Sequence, residues 1–175
     1  MVQNIKEVPY GVSDFQTMVE QNIYYVDKTM YIPGLEKQAR YLIFIRPRRF
    51  GKSIFLGMLH AYYDIRTKHK FQQWFGNLWI GKHPTPLQGR YQVMHLDFSQ
   101  VGGNIDNLEE KFNFYMGVQL DGFVRDYAEF YSDELRRKVN ATQDAGGKLA
   151  LIQSEAKVKE YPLYLIIDEY DNFTN

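Results

Sequence analysis

The sequence predicts a layered α/β fold: a parallel sheet with helices on both faces. Three observations carry that expectation. Short apolar runs alternate with segments of helical spacing along the chain. Two of those runs, YLIFI at 41–45 and LYLII at 163–167, are apolar almost throughout, as strands buried on both faces are. And at Gly51 a strand, a tight loop and a helix follow one another with no slack.

Taken in order, the aromatic-rich stretch from Val8 to Glu36 is punctuated by Pro9, Gly11, Pro33 and Gly34 and predicts turns and short elements, with a helix near 14–20 that Asp14 is placed to cap. Residues 1–40 read as a lead-in and 41–175 as the core. YLIFI ends at Arg46-Pro47. Beyond Gly51, Ile54, Phe55, Met58, Leu59, Tyr62 and Ile65 recur at helical spacing. Phe71 to Ile80 is a further helical segment, HPTPLQGR a loop, and YQVMHLDF at 91–98 a second strand. A long helix is expected over 106–127, weakened by Gly117 and Gly122. Ser132 starts a short helix, Gly146-Gly147 breaks the chain, a helix runs over 148–159, and LYLII closes the series with Pro162 at its edge.

With 175 residues, 45% of them hydrophobic, the chain can bury a sizeable core. Lysine plus arginine and aspartate plus glutamate both number 21, and a net charge of zero argues against nucleic acid or an anionic membrane as the main partner. There is no cysteine, which excludes disulfides and thiol chemistry, and no apolar run long enough to span a bilayer; a cytoplasmic location is the expectation. The four histidines have no ligand spacing, and Trp74 with Trp79 reads as core packing.

The chemistry lies in two places. RPRRFGKS, Arg46 to Ser53, ends as a phosphate-binding loop does. Such a loop aims backbone N–H groups at an anion from a helix N-terminus; its lysine reaches the β- and γ-phosphates and its hydroxyl holds Mg²⁺. Arg48, Arg49, Phe50, Gly51, Lys52, Ser53 and Ile54 are therefore the candidate nucleotide-binding residues, with Ser53 also a metal ligand. The opening glycine of the usual pattern is replaced by Arg46, and Pro47 biases that arginine toward extended backbone. Taken alone, FGKS reads equally well as a chance occurrence of GKS at a basic helix start.

The second place is LYLIIDEYD, where a buried strand runs into Asp168 and Glu169. In phosphate-loop NTPases an aspartate at such a strand end helps hold Mg²⁺, and an adjacent glutamate acts as general base on the attacking water. Asp168 is thus the second candidate metal ligand and Glu169 the candidate catalytic residue. The two motifs occur in the right order, each on the element its chemistry requires, and together predict ATP binding with Mg²⁺. Asp97 either faces the same cleft or caps the next loop; Asp171 either joins the metal or lies on the surface.

VPYGVSDF, NIYYVDKTMYIPGLE, YLIFIRPRRFGKS and LIIDEYD, in that order, resemble the predicted AAA-ATPase-like family of bacteria, from about Pro9 to the end. The resemblance implies an AAA-like, P-loop NTPase-like core, and makes RPRRFGKS a family form of the loop. It implies that Lys52 and Ser53 meet phosphate and Mg²⁺, and that Asp168 and Glu169 are the Walker B pair. It also implies two further strands, a sensor residue and an arginine finger, which lie outside this sequence, so the core is expected to be incomplete at its C-terminus and hydrolysis is expected only of the complete domain. Partners implied are a nucleotide, a second copy of the chain, or a downstream nuclease-like domain of the PD-(D/E)XK type; a non-catalytic interaction module is the alternative. YYVDKT, 24–29, is either near the nucleotide or a structural clamp, and Tyr10 to Phe15 are candidates for the adenine pocket.

Overall fold

The computed structural model describes residues 6–38, 41–47, 49–101 and 107–170. The chain divides into two compact units, Met1–Arg90 and Tyr91–Asn175.

The first unit is helical. Helix α1, Phe15–Glu20, begins where its cap predicts: Asp14 is extended, and its carboxylate accepts from the Thr17 N–H at 2.7 Å and the Thr17 hydroxyl at 2.6 Å. Phe15 and Met18 turn inward. After the short helix α2, Ile32–Leu35, helix α3 spans Lys52–Tyr63 and buries Phe55, Met58, Leu59 and Tyr62. Phe75, at the end of α4 (Phe71–Phe75), is fully buried. Its ring stacks on Phe15 at 5.2 Å and on Phe71 at 5.6 Å, and meets Tyr62 edge-on at 5.6 Å. Phe15 is therefore core rather than part of an adenine pocket, while Tyr10 is almost wholly exposed.

The segment expected as one helix over 71–80 is two, α4 and α5 (Trp79–Lys82). The break has a cause. Trp79 N–H, which a continuous helix would give to the Phe75 carbonyl, is donated instead to Asp27 at 2.7 Å. The other carboxylate oxygen of Asp27 accepts from the N–H and hydroxyl of Thr29, at 2.8 and 2.7 Å. Buried Thr29 in turn accepts from the Ile80 N–H at 3.1 Å. YYVDKT is thus a clamp on the start of α5. Trp74 is core, its indole N–H on Glu20, but Trp79 lies at the surface, stacked on His83 at 4.4 Å.

Asp64 ends α3 and is fully buried. Burial pushes its carboxyl up, but hydrogen bonds from His60 at 3.2 Å and from Arg66 at 2.8 Å outweigh that and hold it below its ordinary value. A carboxyl lowered in the folded state contributes stability above its ordinary value of about 3.8, lost as pH falls through the folded value. Urea midpoints should therefore fall as pH is lowered below about 4, and Asp64→Asn should flatten that fall.

The strand expected over 41–45 is not formed. Residues 41–47 have no regular secondary structure, and Tyr41, Ile43 and Ile45 are 84%, 78% and 82% exposed. A strand holds only when a neighbouring strand takes up its N–H and C=O groups, and none does so among the described residues of this unit.

In the second unit, strands β1 (Gln92–Asp97) and β2 (Leu163–Asp168) pair in parallel, with Gln92 opposite Leu163 and Asp97 opposite Asp168. A parallel pair needs a long crossover. Helices α6 (Leu108–Asp126), α7 (Asp133–Ala141) and α8 (Ala145–Val158) supply it. The Tyr127 hydroxyl, just past α6, accepts from the Val93 N–H at 2.7 Å and ties that end to β1. Ser132 caps α7 as expected, accepting from the Leu135 N–H. Helix α8 starts earlier than expected, because the Asp144 carboxylate accepts from the Gly147 N–H at 2.6 Å and draws both glycines into the first turn. The core gathers Met94, Leu96, Leu120, Phe123, Val139, Ile152 and Ile166. The mixed α/β expectation holds for this unit, with a two-stranded parallel sheet and three helices among the described residues. No described helix is long and apolar enough to cross a membrane.

Candidate phosphate-binding loop and acidic strand end

Helix α3 opens on Gly51, which takes φ +74° and ψ 27°. A Cβ there would meet no atom within 4 Å, so the backbone angle alone demands glycine. Arg49 also takes a positive φ, 67°. The Phe50 N–H bonds back to the Pro47 carbonyl at 3.3 Å, and α3 begins with the Phe55 N–H on the Gly51 carbonyl at 3.0 Å. No side chain caps α3, and no acidic residue lies in its first turn. The first N–H groups and the positive end of the helix dipole are thus arranged to favour an anion. Lys52 is half-buried and Ser53 exposed, both on this first turn. Arg48 lies outside the described residues.

Arg46, where the usual pattern has glycine, has a local role. Its guanidinium lies over the Phe44 ring at 5.1 Å and donates a long hydrogen bond, 3.4 Å, to the Phe50 carbonyl. Phe44 stacks on Phe55 of α3 at 4.8 Å. The arginine so bridges the two sides of the loop. That role was not legible in the sequence, because it depends on where Phe44 lies.

In the second unit, Asp168 ends β2, is 6% exposed, and accepts from the Glu169 N–H at 2.9 Å. Its carbonyl accepts from the Phe98 N–H at 3.1 Å. Glu169 takes φ +53°, a left-handed conformation that costs a non-glycine residue ~1–3 kcal/mol. Such strain persists only where the surroundings fix it, and it collects at functional sites. Asp97 caps the next loop: its carboxylate accepts from the Ser99 N–H at 2.8 Å. Its backbone is held on both sides by the Gln119 amide. Asp171 lies outside the described residues.

The same motifs carry a family match. The family model described as Predicted AAA-ATPase covers residues 9–175. The chain belongs to that family. A curated relative, an uncharacterized protein in the vnfD 5' region of Azotobacter chroococcum mcd 1, is 44% identical over 55 residues. That match takes in 31% of this chain and 11% of the relative's length. No solved structure matches. Membership of the predicted AAA-ATPase family is consistent with nucleotide binding, and the uncapped start of α3 suits an anion.

Proposed function

We propose that this chain binds ATP with Mg²⁺ through the loop that opens α3, as the nucleotide-binding part of an ATPase. One observation carries the reading: a left-handed Gly51 leads into an uncapped helix whose first two residues are Lys52 and Ser53, within a family match. In the proposal, the amides of Gly51 to Ile54 receive the phosphates, Lys52 adds its charge at the β- and γ-phosphates, and Arg49 and Phe50 line the approach. Ser53 and Asp168 are the Mg²⁺ ligands, an assignment that rests on sequence order and family. Glu169 holds the attacking water and accepts its proton, in the complete domain.

The test is calorimetric titration of ATP with and without Mg²⁺. Wild type should bind more tightly with the metal. Asp168→Asn should lose most of that gain, by about tenfold or ~1.4 kcal/mol, while metal-free binding stays. A metal gain unchanged in Asp168→Asn would remove this residue from the site.

A second reading, a non-catalytic interaction module, is favoured by the exposed apolar side chains of residues 41–45. It predicts a folded chain with no nucleotide affinity.

A further inference from the structure

The second unit contains a groove that the proposed nucleotide chemistry does not use. It lies between α6 and α7, encloses about 750 Å³, and is lined by Asp121, Val124, Arg125, Asp133, Arg136, Arg137 and Asn140. That volume falls in the range of small-molecule sites, but Val124 is its only aliphatic lining residue. The ligand it suits is therefore polar.

The charges decide its sign. Both acids already have cationic partners. Asp121 holds the buried Lys148 ammonium with both oxygens, at 2.6 and 2.5 Å. Asp133 is bonded by Arg136 across one turn of α7. The guanidiniums are less committed. Arg125 is 81% exposed, and its nearest carboxylate, Asp126, is 3.8 Å away. Arg137 donates only a long bond, 3.4 Å, to the Asp133 carbonyl. The Nε–H of Arg136 is buried without a hydrogen-bond partner. Among the lining residues three guanidiniums face two carboxylates, 3 − 2 = 1 positive charge in excess.

We propose that this groove binds a small phosphomonoester with a hydroxylated body. The phosphate takes the forks of Arg125 and Arg137, since planar guanidiniums match oxyanions two bonds at a time. The hydroxyls donate to the lining carboxylates of Asp121 and Asp133 and to the Asn140 amide oxygen.

Calorimetric titration with ribose 5-phosphate tests this, in a Lys52→Ala background that weakens phosphate binding at the α3 loop. Saturable binding is expected. Arg137→Glu and Arg125→Glu, both exposed positions whose reversal spares the core, should each weaken it at least tenfold. Ribose without phosphate should not bind, and inorganic phosphate should bind more weakly than ribose 5-phosphate. ATP affinity in the same Arg→Glu variants with Lys52 restored should be unchanged, which separates failure of this groove from failure of the nucleotide loop. Absence of saturable binding, or binding indifferent to both reversals, overturns the proposal.

Discussion

Replacing Lys52 by alanine should weaken Mg-ATP binding about a hundredfold, equal to ~2.7 kcal/mol. The magnitude follows from the chemistry removed. An ammonium donating to phosphate oxygens makes a charge-assisted bond worth ~1.5–3 kcal/mol, and the helix dipole that remains contributes only ~0.3–1 kcal/mol. Fold and stability should be nearly unchanged, because Lys52 lies on the first turn of α3, where Phe55 and Met58, further on, make the core contacts. The check is calorimetric affinity beside a urea denaturation curve. A loss of affinity accompanied by an equal loss of stability would mean that the substitution acted through folding and not on the ligand.

The largest effect on stability should come from Phe75→Ala. The ring is fully buried and shared by three aromatic neighbours, Phe15, Phe71 and Tyr62. Phe→Ala in such a site costs ~3–5 kcal/mol, lost transfer energy plus the cavity left behind. Relaxation is restricted, since Phe15 is fixed by the Asp14 cap and Tyr62 by a hydrogen bond to its hydroxyl from the Thr85 N–H at 2.8 Å. With a urea slope of ~1–3 kcal/mol per molar, the midpoint should fall by ~2 M. A fall below ~0.5 M would show that the first unit does not depend on this aromatic cluster.

How much of this was legible beforehand varies with the range of the interaction. Asp14 and Ser132 were readable as caps because a cap bonds within three residues of itself. The strand ends at Asp97 and Asp168 were readable because an apolar run stops at a charge. What escaped depends on partners distant in sequence. Asp27 splits the 71–80 helix from 52 residues away. Arg46 replaces the loop glycine only by leaning on Phe44. YLIFI has the composition of a buried strand, but a strand is a pairing, and composition does not name the partner. Within the candidate site, residue types and order were legible. The positive φ of Glu169 was not, since nothing in a side chain that disfavours that conformation announces it.

The central claim is that the backbone amides opening α3 hold the phosphates. Amide chemical shifts of the labelled chain, recorded as Mg-ATP is added, test it most directly. The account predicts large saturable shifts at Gly51, Lys52, Ser53 and Ile54, reproduced in part by inorganic triphosphate. Saturable ATP binding that leaves those four amides unmoved would contradict it.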